Sequence, residues 1–584
     1  MIVLGISAFF HDSAAALLVD GEVVAAAQEE RFSRLKHDAG LPVHAARFCL
    51  EQAGVTMAEV DHVVFYEKPL RKFDRILTTH LREFPRSLPQ FPRALATWLG
   101  KRLWMKGELC AALGCTLDQL LFSDHHLSHA ASAFFSSPFE RAAIVTVDGV
   151  GEWATTSIYR GVTTDTGSSI HLIEELHFPH SIGLLYSAIT AYLGFEVNEG
   201  EYKVMGLAAY GEATRLADFD RLAAIGDDGS LTIDTRYFAY QNHPTKSFTP
   251  ALEELLGPAR VPGSPLNLPA RTDDDRRFAD IAASLQKLTE RYLLALADRA
   301  HRITGETNLC MAGGVALNCV GNRRIQIDGP FEGVFVQPAA GDAGGSLGAA
   351  QWVTHVLHGL PRRAPMRHAF LGAAYARHDI EEFLGGCGVA YRTFDVPGEL
   401  EDHVAGLLVD KQVGGWFQGR FEWGPRALGA RSIIADPRDA GAQDRVNHKI
   451  KFREAFRPFA PAVLADEVDT WFDASIGGGR DDHLLPFMCS VVPVREEMRA
   501  RLAAVTHIDG TARAQRIDRD SNPGFYDLID AFRRRSGIGV ILNTSMNLKD
   551  EPLCASPAEA YAVFVRSDLD FLVLEGCLVQ KGAS

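Results

Sequence analysis

A strand, a polar turn and a second strand form a pattern that occurs twice in this 584-residue chain. The first copy reads IVLGIS, a turn with His11, and then two apolar runs separated by Asp20 and Gly21. The second copy, over residues 142–161, reads AAIVTVDGVGEW followed by ATTSIYRG. Asp-Gly between apolar runs favours a β-hairpin. A repeat of the whole pattern predicts a duplicated α/β nucleotide-binding domain.

The chain is longer than one hydrophobic core usually supports, so we expect two domains. Hydrophobic residues make up 47% and charged residues 23%, which excludes the disordered and fibrous classes. Residues 360–378 are rich in Pro and Arg and have no clear period. We therefore predict one α/β domain over residues 1–362 and a second over residues 363–584.

The net charge and the lengths of the apolar runs limit the expected cellular location and partners of the protein. No apolar run is long enough to cross a membrane, and Met1 leads directly into a strand-like run, so we expect a cytoplasmic protein with no membrane partner. Nine cysteines without a CxxC pair indicate reduced thiols. The net charge of -15 argues against a nucleic-acid partner. A homodimer is the default expectation for assembly.

Two histidines and two distant aspartates form the most chemically specific pattern. His125 and His129 in SDHHLSHAASAF are four residues apart, which places both imidazoles on one helix face about 6 Å apart. Asp148 ends the strand-like run IVTVD, and Asp342 lies between glycines in PAAGDAGGSLGAA. This nitrogen and oxygen set suits Fe, Mn or Zn better than Ca. HxxxH pairs also occur by chance on ordinary helices, and the flanking Asp-Gly turns are what favour a metal site.

Glycine-rich turns follow two further strand-like runs. NLCMAGGVALN and VFVQPAAGDAGGSLGAAQW each read as a strand, a glycine turn and the start of a helix. Glycines at such a turn let backbone amides approach phosphate near a helix N-terminus. Gly313, Gly314, Gly344 and Gly345 are therefore candidate phosphate or ribose contacts, although glycine turns occur in many α/β proteins without that role.

Cationic residues are concentrated in the second half of this acidic chain. They share a short span with glycines, prolines and aromatics, and they are Arg420, Arg426, Arg431, Lys449, Lys451, Arg453 and Arg457. Arg426 in WGPRALG lies in a turn and Arg457 in FRPFAP lies among apolar residues, where a buried guanidinium needs a partner such as a bound anion. For Arg431, Lys449 and Arg453 an outward helix face is the alternative. The span predicts an anion pocket.

Nine ordered motifs resemble those of the NodU/CmcH O-carbamoyltransferases, a family that includes a tobramycin carbamoyltransferase. They run nearly end to end and are ISAFFHDSAAALLVDGEVVAAAQEERFSRLKHDAGLP, DHHLSHAASAF, VDGVGEW, GEYKVMGLAAYG, GGVALN, GDAGGSLGAA, FQGRFEWGPRALGARSI, KFREAFRPFAP and LNTSMN. The resemblance implies an N-terminal TsaD-like domain of the actin, Hsp70 and sugar-kinase fold and a C-terminal YrdC-like α/β domain. It also implies an enzyme that makes carbamoyl adenylate from carbamoyl phosphate and ATP and carbamoylates a hydroxyl of a natural-product small molecule.

The resemblance further implies roles for particular residues. The metal, expected to be Fe(II) with Mn or Zn as alternatives, would be held by His125, His129, Asp148 and Asp342. ATP with Mg would be held by Lys36, Gly313, Gly314, Asn318, Gly344 and Gly345. Carbamoyl phosphate would be held by Arg426, Lys451, Arg457, Arg513, Asn543 and Ser545. The catalytic set would be His11, Lys36, Arg426, Lys451 and Arg457. His11 would lie at the acceptor hydroxyl as a general base, with a capping or turn histidine as the alternative.

Two other functions would explain some of these sequence features. A tRNA threonylcarbamoyl transferase has the same metal fold, but the fused second domain and the acidic charge disfavour it. A nucleotide-switched binding protein of the Hsp70 type gives no role to the histidine pair or to the cationic span. Acceptor choice is expected in residues 68–106, a basic segment with interleaved aromatics that fits a solvated helical insertion or a lid over a ligand.

Overall fold

The computed structural model of the protein contains two compact units. It describes residues 1–85, 87–88, 91–92, 96, 104–243, 245–268, 272–451, 454, 456–476 and 481–582. Unit 1 comprises Met1–Val24 and Ala39–Pro365, and unit 2 comprises Ala25–Asp38 and Met366–Ser584. The boundary between functional domains at 362/363 stays a prediction. The sequence pattern did not indicate that the short segment Ala25–Asp38 belongs with the second unit.

Two five-stranded sheets form the centre of unit 1. The strands up to residue 365 are β1 (Ile2–Ser7), β2 (Ala14–Val19), β3 (Glu22–Gln28), β4 (His62–Phe65), β5 (Leu120–Phe122), β6 (Arg141–Val147), β7 (Ala154–Thr164), β8 (Gly167–His177), β9 (Ala223–Ile225), β10 (Leu231–Ile233), β11 (Asn308–Ala312) and β12 (Gly333–Val336). The α-helices over the same range are α1 (Glu30–Ser33), α2 (Val43–Ala53), α3 (Pro69–Arg82), α4 (Met105–Leu113), α5 (His125–Ser136), α6 (Ile182–Tyr192), α7 (Glu201–Ala208), α8 (Leu216–Leu222), α9 (Pro250–Leu256), α10 (Asp273–Thr304), α11 (Cys319–Asp328) and α12 (Asp342–Trp352).

The two sheets have the same topology. The first has the order β3-β2-β1-β4-β5, and the second has the order β8-β7-β6-β11-β12. In the first sheet, β1 pairs antiparallel with β2 and parallel with β4. In the second sheet, β6 pairs antiparallel with β7 and parallel with β11. The predicted duplication is confirmed, and unit 1 has the duplicated α/β fold of actin, Hsp70 and sugar kinases.

The candidate site residues of unit 1 follow the carboxyl ends of the parallel strands. His11 comes after β1, His125 after β5, Asp148 after β6, Gly313 after β11 and Asp342 after β12. Ligands of open α/β sheets bind at this edge. The topology therefore brings together residues that are more than 300 positions apart in the sequence.

Helix α12 packs so closely against β1 and α5 that glycine is required at the points of contact. A Cβ atom on Gly5 of β1 would lie 1.9 Å from the carbonyl oxygen of Ser346, and a Cβ atom on Gly348 would lie 1.8 Å from the carbonyl oxygen of Ser128 in α5. Because no side chain separates α12 from β1 and α5, its first residue, Asp342, can reach the histidines of α5.

The longest helix of the described chain, α10, shows how local sequence sets helix bounds. Thr272 and Asp275 form a capping box at its start, and Gly305, with a φ angle of 68°, ends it. Leu285 and Leu288 belong to its buried stripe, while charged residues occupy the other face. The part of the chain that the structure describes contains no helix long and apolar enough to cross a membrane.

Unit 2 is built around one eight-stranded mixed sheet with the order β13-β22-β21-β14-β15-β20-β16-β19. Its strands are β13 (Arg392–Thr393), β14 (Gly414–Phe417), β15 (Arg431–Ala435), β16 (Ala460–Leu464), β17 (Val492–Pro493), β18 (Thr511–Ala512), β19 (Gln515–Ile517), β20 (Val540–Ser545), β21 (Phe571–Leu574) and β22 (Cys577–Gln580). Its remaining α-helices are α13 (Arg377–Cys387), α14 (Glu399–Val409), α15 (Ala440–Asp444), α16 (Val468–Trp471), α17 (Pro523–Ser536) and α18 (Pro557–Arg566).

Helix α17 illustrates the core of unit 2. Asn522 caps its first turn by accepting a hydrogen bond from the backbone N–H of Phe525. Phe525, Leu528 and Phe532 recur at helical spacing and are buried in the same core as Trp416 of β14. Unit 2 is thus an α/β domain, which agrees with the class that the sequence predicts.

Candidate metal centre and its cavity

The histidine pair and the two aspartates come together in unit 1. One nitrogen or oxygen atom from each of His125, His129, Asp148 and Asp342 lies within 4.8 Å of the others. His125 Nε2 is 3.2 Å from His129 Nε2 and 3.0 Å from Asp148 Oδ2. Asp342 Oδ1 is 3.6 Å from His129 Nε2 and 3.7 Å from His125 Nε2. Donors at these separations can each lie about 2 Å from one central cation. We call these four residues the metal cluster.

Helix α5 presents both histidines on one face. The Glu152 carboxylate accepts hydrogen bonds from the backbone N–H of His125, the first helical residue, at 3.1 Å. The neighbouring His126 has other partners, because its Nδ1 lies 2.7 Å from Thr146 Oγ1. Burial lowers the pKa of His126 to about 3, so this imidazole is neutral and structural.

A second hydrogen bond orients each carboxylate of the metal cluster. The backbone N–H of Gly314 donates to Asp148 Oδ1 at 3.0 Å, which leaves Oδ2 beside His125. The Tyr66 hydroxyl donates to Asp342 Oδ2 at 3.1 Å, which leaves Oδ1 beside the histidines. Burial raises the pKa of Tyr66 well above its ordinary value, so the phenol keeps the proton that it donates.

The metal cluster stabilises positive charge. Burial opposes ionisation of Asp148, but hydrogen bonds from His125 and His129 hold the pKa of this carboxyl well below its ordinary range. Burial lowers the pKa of His129, but the hydrogen bonds and charges of Asp148 and Asp342 raise it to about 9. Two imidazoles and two carboxylates that favour a cation between them fit a borderline divalent metal such as Fe, Mn or Zn.

A cavity of about 940 Å³ in unit 1 includes part of the metal cluster in its wall. Asp148 and Gly314 line it, and so do His11 and Asn318, for which the family resemblance implies contact with the acceptor and the nucleotide respectively. The volume is typical of a small-molecule site.

His11 is half-buried and paired with its neighbour. Its Nδ1 lies 3.0 Å from Asp12 Oδ2. Burial lowers the pKa of His11, but the hydrogen bond to Asp12 and the charges of Asp342 and Asp148 raise it to about 9. The structure thus places His11 at the cavity in the electric field of the metal cluster.

The other predicted nucleotide residues differ in their surroundings. Gly313 has a φ angle of 92°, and a Cβ there would lie 2.3 Å from the carbonyl oxygen of Val147, so the turn itself requires glycine. Gly344 and Gly345 are buried inside α12. Lys36 is half-buried in the segment that belongs to unit 2. Nucleotide contacts by these four residues stay predictions.

Arg75 of α3 is a cavity residue that the sequence did not single out. Its Nη1 donates to the carbonyl oxygen of Gly151 at 2.6 Å, and its guanidinium lies 5.5 Å from the centre of the Phe178 ring. Burial lowers the pKa of Arg75 to about 10. His80, five residues further along the same helix, also lines the cavity. The basic segment 68–106 therefore contributes α3 to the cavity wall, whereas residues 86, 89–90, 93–95 and 97–103 lie outside the described chain.

Two of the predicted carbamoyl phosphate residues of unit 2 are in direct contact. Lys451 Nζ donates to Ser545 Oγ at 3.0 Å and to the carbonyl oxygen of Asn547 at 3.1 Å. Asn543, two residues earlier on β20, donates to the carbonyl oxygen of Ala427 at 3.3 Å. Ala427 directly follows Arg426 in the sequence, so these hydrogen bonds connect Lys451, β20 and the Arg426 turn.

Other predicted cations of unit 2 have different surroundings. Arg457 Nη1 lies 3.5 Å from Glu454 Oε2, and Arg513 lies between β18 and β19. Their place in an anion pocket stays a prediction. Arg453 and the side chain of Lys449 lie outside the described residues.

Arg431 and Arg420 stabilise the backbone of unit 2. The outward helix face considered for Arg431 is wrong, because this residue lies on β15 and is completely buried. Its guanidinium lies 3.4 Å from the centre of the Phe417 ring, and it donates to the carbonyl oxygens of Gln418, Ala430, Ala373 and Gly419. Arg420 donates to the carbonyl oxygens of Gly372 and Leu371.

Comparison with known proteins shows the same family in both parts of the chain. The family model described as carbamoyltransferase N-terminus matches residues 2–351, and the model described as carbamoyltransferase C-terminus matches residues 405–581. The chain is 45% identical to uncharacterized protein sll1178 of Synechocystis sp., over 100% of this chain and 97% of that protein.

Two further relatives carry functional names. The chain is 37% identical to nodulation protein NolNO of Sinorhizobium fredii, over 98% of this chain and 79% of that protein. It is 33% identical to 3'-hydroxymethylcephem-O-carbamoyltransferase of Streptomyces clavuligerus, over 56% of this chain and 58% of that protein. Because one family model spans more than half of the chain and a relative above 30% identity spans nearly all of it, the chain belongs to the carbamoyltransferase family and is a carbamoyltransferase, as its motifs predict.

Proposed function

We propose that the protein is an ATP-dependent O-carbamoyltransferase that acts on a hydroxyl of a natural-product small molecule. Water cleaves carbamoyl phosphate to carbamate and phosphate, and carbamate attacks the α-phosphate of ATP to give carbamoyl adenylate and pyrophosphate. The acceptor oxygen then attacks the carbamoyl carbon, the bond to AMP breaks, and the hydroxyl proton passes to a base. The observation that carries this proposal is a four-donor metal cluster, one member of which, Asp148, lines a cavity that His11 also lines.

The metal cluster and His11 would serve the transfer step. A divalent cation held by the cluster, proposed to be iron, would act as a Lewis acid toward the adenylate. Asp12 engages Nδ1 of His11, which leaves Nε2 to take the acceptor proton. A base must be unprotonated. The hydrogen bond to Asp12 and the charges of Asp342 and Asp148 raise the pKa of His11 to about 9, so neutralising Asp342 and Asp148 would lower it.

The cavity would hold the nucleotide and the acceptor. Gly314 and Asn318 both lie at the cavity wall and are proposed nucleotide contacts. Arg75 and His80 lie on α3, in the segment where we expect acceptor choice, and would contact oxygen atoms of the acceptor.

Unit 2 would bind and cleave carbamoyl phosphate. Lys451 is 4% exposed and Arg426 is 9% exposed, and each can form a charge-assisted hydrogen bond with a phosphate oxygen. Ser545 and Asn543 of β20 would add neutral contacts, with Arg457 and Arg513 as further proposed cations. Positive charge around the phosphate stabilises the charge that develops as carbamoyl phosphate breaks down.

Incubation of the purified protein with ATP, Mg, carbamoyl phosphate and a panel of hydroxylated natural products tests the proposal. We expect pyrophosphate, AMP and a product heavier by one carbamoyl group. His11→Ala should slow carbamoyl transfer but leave adenylate formation intact, because His11 is assigned to the second step alone. If pyrophosphate release does not depend on carbamoyl phosphate, the proposal is wrong.

A further inference from the structure

The two residues that follow β4 lie against the metal cluster and have no role in the function proposed above. Strand β4 ends at Phe65, and Tyr66 and Glu67 come next, both of them buried. β4 lies between β1 and β5, and β5 leads into the histidine helix α5. Tyr66 and Glu67 therefore lie where the parallel strands end, beside ligands that come from other segments.

Tyr66 connects the two helices that supply ligands. Its hydroxyl donates to Asp342 Oδ2 at 3.1 Å, and its backbone carbonyl accepts a hydrogen bond from Ser128 Oγ of α5 at 3.0 Å. The ring fits because residue 345 is glycine, since a Cβ there would lie 2.7 Å from Tyr66 Cδ2. The phenol thereby fixes Asp342 Oδ2 and leaves Oδ1 within 3.7 Å of both histidines.

Glu67 lies on the other side of His125. Its Oε2 is 4.0 Å from His125 Nδ1, and Lys72 Nζ holds the same carboxylate at 2.8 and 3.0 Å. Within the described part of the chain, His125 Nδ1 is buried and has no hydrogen-bond partner. A neutral imidazole that binds a cation through Nε2 carries its proton on Nδ1 and needs an acceptor there. Glu67 is a carboxylate beside this atom, and a shift of about 1 Å would bring its Oε2 within hydrogen-bond distance.

We propose that Tyr66 and Glu67 are positioning residues of the metal centre. Tyr66 holds the Asp342 carboxylate with Oδ1 toward the histidines, and Glu67 orients His125 through Nδ1. This inference depends on the metal site of the proposed function but not on the reaction. Loss of either contact leaves all four ligands present but less well oriented, so cation affinity falls and the coordination geometry changes.

Cobalt(II) binding to the full-length, chelator-treated protein tests the inference. Tyr66→Phe removes one hydroxyl, and Glu67→Gln removes one charge. Each should weaken Co(II) affinity by about 10-fold or more and alter the visible absorption of the bound ion. Tyr292→Phe is a matched control, because Tyr292 is also a buried tyrosine of unit 1 and its hydroxyl lies 3.1 Å from Thr156 Oγ1. This control should bind Co(II) like the wild type.

Wild-type affinity and an unchanged Co(II) spectrum in both variants would overturn the inference. Equal losses in Tyr292→Phe would also overturn it, because a general loosening of unit 1 would then explain the result. Neither ATP nor carbamoyl phosphate enters this experiment. A protein that shows the expected Co(II) pattern but forms no carbamoyl adenylate would therefore support the inference and refute the proposed function.

Discussion

The metal cluster of unit 1 contains two carboxylates, whereas the predicted anion pocket of unit 2 contains two buried cations, Lys451 and Arg426. In unit 1, two imidazoles and two carboxylates converge within 4.8 Å, and hydrogen bonds from Gly314 and Tyr66 orient the carboxylates. In unit 2, the buried Lys451 and Arg426 are connected through hydrogen bonds that involve β20. The first arrangement favours a cation and the second favours an anion. Removal of a donor in one unit should therefore leave ligand binding in the other unit unchanged.

The largest effect should come from removing a carboxylate of the metal cluster. Asp342→Asn keeps the shape of the side chain but removes the negative charge that lies beside both histidines. We expect metal content to fall below stoichiometry and carbamoyl transfer to fall by more than about 100-fold, beyond the loss typical of an outer-shell partner. Elemental analysis and product formation measure the two quantities. A variant that retains one metal ion per chain and full activity would show that Asp342 is not a metal ligand.

A smaller, selective effect should come from unit 2. Lys451→Met keeps the apolar stem and removes the ammonium group that contacts Ser545. A charge-assisted hydrogen bond contributes about 1.5–3 kcal/mol, so the KM for carbamoyl phosphate should rise roughly 10- to 100-fold. Metal content should stay at the wild-type level, which makes this variant the converse of Asp342→Asn. An unchanged KM would show that Lys451 does not contact carbamoyl phosphate.

Arg431 differs from Lys451 within unit 2, because it is a buried cation whose hydrogen bonds go to backbone carbonyls. Arg431→Met should lower the free energy of unfolding by roughly 2 kcal/mol, since buried carbonyls lose a charged donor. The KM for carbamoyl phosphate should stay constant. Chemical denaturation and steady-state kinetics separate the two effects, and a rise in KM without a loss of stability would place Arg431 in the anion pocket instead.

The metal cluster and the duplicated sheets could be predicted from the sequence because their signals are local. Helical spacing alone puts His125 and His129 on one face, and an Asp-Gly pair between apolar runs marks one antiparallel connection in each sheet. Tyr66 and Glu67 could not be found in this way. Their roles depend on α12 and α5 lying beside the end of β4, and the local sequence VVFYEK reads only as the end of a strand.

The glycines of GDAGGSLGAA show a second limit of prediction from the sequence. A glycine that binds phosphate and a glycine that allows close packing have the same sequence signal. In the structure, Cβ atoms on Gly344 and Gly348 would lie 2.1 Å from the carbonyl oxygen of Ala339 and 1.8 Å from that of Ser128. Close packing therefore gives both glycines a structural reason that only the tertiary structure could reveal, and nucleotide contact by Gly344 stays a prediction.

The last expected effect is a pH dependence of stability in the metal-free protein. The pKa of His11 is raised to about 9 in the folded state, against an ordinary value of 6.5. The stability that this shift contributes is fully present below pH 6.5 and is lost as the pH rises through about 9. Between these values we expect the free energy of unfolding to fall by up to about 3 kcal/mol, measured by chemical denaturation at each pH.

Two controls assign this pH dependence to the charges around the metal cluster. His11→Gln should reduce the decline, because the variant has no imidazole at position 11 to lose a proton. A saturating divalent cation should reduce it as well, since Asp148 and Asp342 help to raise the pKa of His11 and the cation would neutralise them. The Lys451→Met variant should keep the full decline, because its substitution lies in unit 2 and leaves His11 and both aspartates in place. An equal decline with and without the cation would show that the cluster carboxylates do not set the pKa of His11.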